Sequence, residues 1–396
     1  MSIHPLQPTA LKSHTVNFKI LPPLSLYIHI PWCVRKCPYC DFNSHEVRGI
    51  FPEKAYIAAL VRDLELALPL IWGRSVYTVF IGGGTPSLLS GEGIAEVLRQ
   101  VRMLLPLDIN AEITLEANPG TVEAARFAAY REAGVNRLSM GIQSFNDTHL
   151  QALGRIHTSA EAIAAIKIAQ HYFDNINLDL MYALPRQTVN EALQDVQTAL
   201  TFSPQHLSCY HLTLEPNTLF HSQPPPLPDD DASCDMQQGI EELLDSQGYQ
   251  HYETSAFAQP GRRSRHNLNY WHFGDYLGIG AGAHSKLSFP DKIIRQVRYK
   301  QPQAYLDQTT KDAPIQSEEE VNCEELAFEF MMNALRLNQG FDSILFEERT
   351  SLSLLQIRHE LAQAEQRGLL QRDHRRIAPT LLGQRFLNDL VEIFIR

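Results

Sequence analysis

From about Leu24 onward, the apolar positions of this chain follow two alternating patterns. Short, nearly continuous apolar runs read as buried strands: SLYIHI at 25–30, VYTVFI at 76–81, AEITLE ending at Glu116, NRLSMGI at 136–142, INLDLM at 176–181, and HLSCYHLTL closing at about Leu214. The stretches between them carry helical spacing. FPEKAYIAALVRDLELALPLI opens with Pro52 near its first turn, residues 92–104 form the next helix, and further helices end near Ala133, Tyr172 and Leu200. About six strand–helix repeats predict a parallel sheet with helices outside it. That number is too low for a complete eight-fold barrel, so the expected fold is α/β, a partial (β/α)6 barrel.

The pattern changes after the sixth strand. Residues 221–231 are rich in Pro and Asp and read as a linker, followed by a helix at 232–247 and a strand at 249–255. Then comes the unusual stretch RHNLNYWHFGDYLGIGAGAHS. An amphipathic helix is expected at 317–337, and short helices with a hairpin at GLLQRDHRRIAPT suggest a C-terminal α+β, winged-helix-like module. The expected divisions are an N-terminal extension (1–22), the barrel (23–225), a connecting region with the HNLNYW stretch (226–310) and the C-terminal module (311–396).

With 44% hydrophobic residues the chain can bury a large core, and its net charge of −11 argues against nucleic acid as the main partner. The start of the chain lacks the pattern of a secretory signal and no apolar run is long enough to span a bilayer, so the expected location is cytoplasmic. Three of the six cysteines crowd one short loop, unlike a secreted disulfide framework.

That loop is PWCVRKCPYCDF, which places Cys33, Cys37 and Cys40 in a C-x3-C-x2-C spacing directly after the first strand. Structural zinc takes four protein ligands, commonly in paired knuckles, and no second pair is present; His29, His45 or a distant cysteine would have to complete such a site. An iron–sulfur cube normally takes four cysteines. Three leave one iron open to chelate a small molecule through an amine and a carboxylate.

In this setting the motif resembles that of the radical-SAM superfamily. The resemblance implies a [4Fe–4S] cluster on Cys33, Cys37 and Cys40, S-adenosylmethionine on its open iron, and Tyr39 near the adenine. Active sites of such barrels lie at the C-terminal ends of the strands, where this sequence places polar or glycine-rich elements. IGGGTPS follows the second strand; a glycine run lets backbone approach a ligand, and free N–H groups there suit a carboxylate. By resemblance Gly83, Gly84 and Thr85 hold the methionyl part. Glu116, Gln143, Arg155 and Asp179, with Thr213 on the sixth strand and Tyr27 on the first, are the remaining expected cofactor contacts.

Nearly the whole chain resembles the group that includes oxygen-independent coproporphyrinogen III dehydrogenase, through LYIHIPWC, GGGTPS, SMGIQSF, LDLMYALPRQT and the C-terminal module. That dehydrogenase carries a further cysteine two residues after the third. Phe42 stands there in this chain, which argues against the decarboxylase activity. HNLNYW resembles the signature of the heme chaperone branch, HemW. The resemblance implies haem as cargo, with His266 as axial ligand, Tyr270 and Trp271 as flat walls for the porphyrin, Asn267 as an orienting group, and Arg262, Arg263 and Arg265 facing propionates. His284 is a second candidate ligand, and Ile279 and Ala281 are candidates for adenine contact.

Two functions therefore stand open at this point. One is a haem chaperone that delivers its cargo to an acceptor protein, with the respiratory chain as the expected destination. The other is radical decarboxylation of coproporphyrinogen III. A zinc-stabilised scaffold is the bland third. A homodimer and peripheral membrane contact are compatible with the resemblance alone.

Overall fold

The computed structural model describes residues 16–121 and 124–395. Residues 1–15 of the expected N-terminal extension lie outside the described residues.

The barrel begins with β1 (Leu24–Ile30), α1 (Glu53–Ile71), β2 (Val76–Gly83), α2 (Gly91–Leu104) and β3 (Leu107–Ala117). It continues through α3 (Ala124–Ala133), β4 (Arg137–Gln143), α4 (Ser159–Tyr172), β5 (Ile176–Tyr182), α5 (Val189–Leu200) and β6 (His206–His211). The helix starts are set locally. Ser90 caps α2, and Thr158–Glu161 and Thr188–Glu191 close reciprocal capping boxes on α4 and α5.

The later elements join the same sheet rather than forming a separate one. After α6 (Asp230–Ser246), the strands β7 (Gln250–Glu253) and β8 (Ala256–Ala258) extend it antiparallel beyond β6. After α7 (Arg265–Trp271), β9 (Asp275–Ile279) pairs parallel with β1 on the opposite side. Then β10 (His284–Ser288), β11 (Ile293–Arg298) and β12 (Ile315–Glu320) add outward antiparallel. The order is β12-β11-β10-β9-β1-β2-β3-β4-β5-β6-β8-β7. The seventh parallel strand, β9, is short and contains Gly278, which hides it from periodicity. The sheet therefore runs unbroken through both sides of the expected boundary at 225/226.

The main core lies between sheet and helices, around Leu26, Ile28, Val79, Ile81, Leu115, Met140 and Leu178. A second core belongs to the C-terminal module. There Phe330 packs edge-on against Phe273, Phe341 and Phe346, and Val16 and Phe18 join it from the N-terminal side. The hairpin expected near the end is present as Leu370–Arg372 and Arg376–Pro379, with Phe341–Asp342 as its third strand.

The helix expected at 317–337 is corrected. Residues 315–320 are extended as β12, and helix begins only at Cys323, where Asn322 accepts from the Glu324 amide. The run of glutamates has helical propensity, but β11 offers it a ladder, and Gln296 Nε2 donates to Glu318 at 2.6 Å.

Candidate functional site

The cysteine loop is folded by its own hydrogen bonds. Cys40 N donates to Cys37 O, His45 N to Pro31 O and Val47 N to Cys33 O, and Lys36 Nζ reaches the carbonyls of Phe42 and Ser44. Cys33, Cys37 and Cys40 are free thiols, each half-buried. Burial pushes the Cys33 and Cys40 thiols up. Among the described residues no further histidine, cysteine or carboxylate gathers with them as a mononuclear metal site. Three thiols on one loop, none of them in a disulfide, suit a polynuclear cluster that leaves one iron free.

Beside this loop runs the glycine turn at the end of β2. A Cβ on Gly83 would lie 2.6 Å from the His29 ring, and one on Gly84 would lie 2.5 Å from Trp32 O, so both positions need glycine. Gly83 itself has φ +114. The expectation of free amides is corrected: Gly83 N donates to Glu116 Oε2 at 3.0 Å, Gly84 N to Ile30 O at 2.8 Å and Thr85 N to Trp32 O at 2.7 Å. The turn brings backbone close without offering spare donors.

The strand ends supply a polar wall inside the barrel. Arg155 spans it, with Nη2 donating to Asn118 Oδ1 at 2.7 Å and Gly141 O at 2.8 Å, and Nη1 lying 3.8 Å from Cys37 Sγ. Asn118 Nδ2 donates to Thr85 Oγ1 at 2.9 Å. Gln143 ends β4 in the left-handed region at φ +70, a strained conformation for a non-glycine residue. A Cβ on Gly141 would touch Asn118, Gln143 and Arg155 together. Tyr39 packs towards Phe220, and burial holds its hydroxyl well above the usual phenol range despite the Arg155 charge.

Asp179, expected as a cofactor contact, has partners within the protein: Ser139 Oγ at 3.0 Å and Asn177 Nδ2 at 2.7 Å. Burial still pushes its carboxyl up. Glu116 is pushed up to about 8, first by burial and then by the Asp179 charge. Between its ordinary value and about 8, the unfolded chain gives up a proton that the folded chain keeps. Stability therefore falls as pH rises through that window and is level above it. Glu116→Gln removes this slope. For cofactor-free protein we expect the urea midpoint of the variant to fall less than that of wild type between about pH 5 and about pH 8; equal falls would contradict the assignment.

Thr213 is not on the sixth strand. The strand β6 stops at His211 because its partner β5 ends at Tyr182, and Thr213 is exposed with its hydroxyl on His211 O.

The HNLNYW stretch is the helix α7, capped by Ser264, and the helix separates its residues. His266 is 2% exposed. Its Nδ1 bonds Thr78 Oγ1 at 2.7 Å, its amide donates to Glu112 Oε1, and its ring lies 5.0 Å from that of Phe80. Burial lowers it to about 3, so the imidazole is neutral. Tyr270, one turn on, packs at a tilt against Tyr276 with ring centroids 4.5 Å apart, whereas Trp271 lies under Arg336 of the C-terminal module. Asn267 N bonds its own cap, Ser264. Arg265 bonds Asn110 O, and Arg263 bonds Gln250 and Gln339. Asn110 lies at the N-terminal part of β3, so α7 closes the barrel end opposite the cysteine loop. The expectation of one haem-binding surface made by His266, Asn267, Tyr270 and Trp271 is corrected to this extent: Tyr270 alone of the four faces the open cavity. Ile279 and Ala281 are buried in the main core.

That cavity measures about 710 Å³ and opens beside the cysteine loop. Tyr27, Cys40, Phe42, Gly83, Glu116 and Tyr276 are among the residues that line it, with His45, His284 and Lys300. Sequence reasoning missed Asn43 in this cavity and Asn118 in the polar wall. The signal for Asn118 was its place two residues beyond Glu116 at a strand end.

Comparison with known proteins agrees with this geometry. The Radical SAM superfamily model matches residues 27–199 and the HemN C-terminal domain model matches 321–386. The chain is 50% identical to "Heme chaperone HemW" of Escherichia coli (strain K12), over 95% of this chain and 99% of that protein. It is 49% identical to the Haemophilus influenzae protein of the same name, over 95% and 98%. It is 36% identical to bovine "Radical S-adenosyl methionine domain-containing protein 1, mitochondrial", over 93% and 86%. The solved structure of coproporphyrinogen III oxidase (HemN) from Escherichia coli superposes with a TM-score of 0.81 at 24% identity, covering 98% of this chain and 95% of that one, which shows a shared fold.

Proposed function

We propose, for a chain that belongs to the heme chaperone HemW family, that it binds haem and delivers it to an acceptor protein, its radical SAM core holding a [4Fe–4S] cluster that chelates S-adenosylmethionine. The observation that carries this reading is the end-to-end likeness to heme chaperones, at 50% identity over 95% of the chain. Phe42 supports it, since it stands exposed at the mouth of the cavity where the related dehydrogenase has a further cysteine.

In this reading Cys33, Cys37 and Cys40 ligate the cluster. Gly83, Gly84 and Thr85 hold backbone close to S-adenosylmethionine, and Tyr27, Glu116, Gln143, Arg155 and Asp179 form the polar wall around it, with Tyr39 beside the loop. When bound, the cluster offers one open iron to the amine and carboxylate of that cofactor. Arg155 ties the loop to the strand ends through Asn118 and Gly141 and so keeps Cys37 in register with the wall. The chain's work site is cytoplasmic, its acceptors belong to the respiratory chain, and contact with the membrane is peripheral, in a protein that acts as a homodimer. Among the described residues no helix is long and apolar enough to cross a membrane.

Two assays test this function. Purified full-length protein should take up ferric haem stoichiometrically and lose it to an added apo-haem protein. Incubated anaerobically with coproporphyrinogen III, reductant and S-adenosylmethionine, it should yield no protoporphyrinogen. Formation of protoporphyrinogen without haem uptake would replace this reading with the decarboxylase.

A further inference from the structure

The helix α7 is held against the barrel floor by side chains of β1, β2 and the C-terminal module. His266 Nδ1 lies 2.7 Å from Thr78 Oγ1 on β2. Thr78 gives its own hydrogen to Ser25 Oγ of β1 at 2.7 Å, so it accepts from Nδ1, and the lone pair of the imidazole is left on Nε2. Asn269 Nδ2 donates to the same Ser25 Oγ at 2.9 Å and to Asp275 O at 2.8 Å. From the other side, the Arg336 guanidinium stands 4.4 Å from the centre of the Trp271 ring.

This closure strands polar atoms. Among the described residues His266 Nε2, Trp271 Nε1 and Arg336 Nε are buried without a hydrogen-bond partner in the protein. Buried polar groups are rarely left so, and each forfeits a hydrogen bond that water would give it. All three belong to one seven-residue helix and the side chain that clamps it. His266 also has no path to the cavity. Phe80 packs on its imidazole at 5.0 Å and Tyr27 on Phe80 at 6.3 Å, and it is Tyr27 that lines the cavity. Nor can one flat ligand meet His266 and Trp271 together while α7 is in place. One is sealed in the barrel floor and the other turns to Arg336.

Resting on the haem-carrying reading above, with His266 as the iron ligand that the HNLNYW resemblance implies, we propose that α7 is a lid shut over its own haem ligand. The Thr78 hydrogen bond and the Arg336–Trp271 contact latch it, and haem is taken only after α7 is released from both. Release breaks hydrogen bonds and packing contacts alone, and it frees the Nε2 lone pair for the iron. Uptake is then two steps, opening followed by capture.

The test is rapid mixing of full-length, cluster-reconstituted protein with excess ferric haem, followed in the Soret band. In wild type the uptake rate should level off as haem is raised, because opening becomes limiting. Thr78→Val keeps the shape of the side chain and removes the bond to His266. It should raise the plateau roughly five-fold, the worth of one hydrogen bond. Arg336→Lys keeps the charge that faces Glu253 but not the flat guanidinium on Trp271, and should raise it by a smaller factor. Amide exchange across residues 266–271 should quicken in both variants, with exchange in β4 unchanged. If exchange in β4 is disturbed in Thr78→Val, Arg336→Lys decides. His266→Ala should lose the histidine-ligated spectrum. A wild-type rate that climbs in proportion to haem, or a plateau that neither variant raises, overturns the lid. If His266→Ala keeps the wild-type spectrum, the inference is wrong while haem carriage stands. If wild type takes no haem, the haem-carrying reading itself falls, and the inference with it.

Discussion

Replacing Cys37 with serine will remove the cluster and leave the fold. Iron and sulfide, measured after anaerobic reconstitution, should drop from about four of each per chain to a small residue. Binding of S-adenosylmethionine should be lost with them, because its amine and carboxylate would have no open iron to chelate. The sulfur of Cys37 makes no contribution to the core. It is half-buried on the loop, with the Arg155 guanidinium at 3.8 Å. Arg155 keeps its stronger bonds to Asn118 and Gly141 in the variant. The apo-protein's unfolding free energy should therefore change by no more than about 0.5 kcal/mol. Cys209→Ser is the control: that thiol is buried in β6, away from the loop, and its replacement should leave iron content unchanged. Full iron loading in Cys37→Ser would refute the three-cysteine site.

What could be read from the chain divides by how local its cause is. The cysteine spacing, the glycine turn and the six principal strands are written in short windows, and each is present there, the sixth strand ending at His211 instead of about Leu214. The commitments of the Gly83, Gly84 and Thr85 amides are not local. Those of Gly84 and Thr85 follow from β1 lying beside β2, which sets Ile30 and Trp32 carbonyls against the turn, and that of Gly83 follows from β3 on the other side, which brings up the Glu116 carboxylate. HNLNYW carried more information than its residue types conveyed. The i,i+4 spacing of His266 and Tyr270 puts both on the barrel side of one helix, with His266 in the floor and Tyr270 reaching the cavity, while Trp271 turns to Arg336. Reading the stretch as a helix from Ser264 would have separated them. The acidic strand β12 could not have been read, because its extended form depends on β11, a neighbour in space that offers a ladder.

Asp63→Ala will be the most destabilising single change near the site. Asp63 lies on α1, fully buried, and its carboxylate collects four donors from the other half of the chain. These are Arg298 Nε and Nη2 at 3.2 Å each, Tyr305 Oη at 2.9 Å, and the Gly280 amide at 3.2 Å. Arg298 is itself 1% exposed and donates further to Ser285 Oγ and Gln296 Oε1. Alanine at 63 leaves the guanidinium in the core without a counter-charge, a situation that costs about 3–5 kcal/mol. A domain has only about 5–15 kcal/mol to lose, so the urea midpoint should fall steeply. The effect should also reach the cavity. Gly280 sits at φ +101 with its amide on Asp63, and it leads through the Gly282 turn to His284. Amide exchange at Gly280 and Ala281 should quicken in Asp63→Ala more than exchange in β3 or β4. Replacing both partners by apolar residues, Asp63→Leu with Arg298→Met, removes the stranded charge along with the pair. That double variant should recover a large part of the lost stability, and a double variant no more stable than Asp63→Ala would show that the cost lies in the lost packing of α1 rather than in the unpaired Arg298.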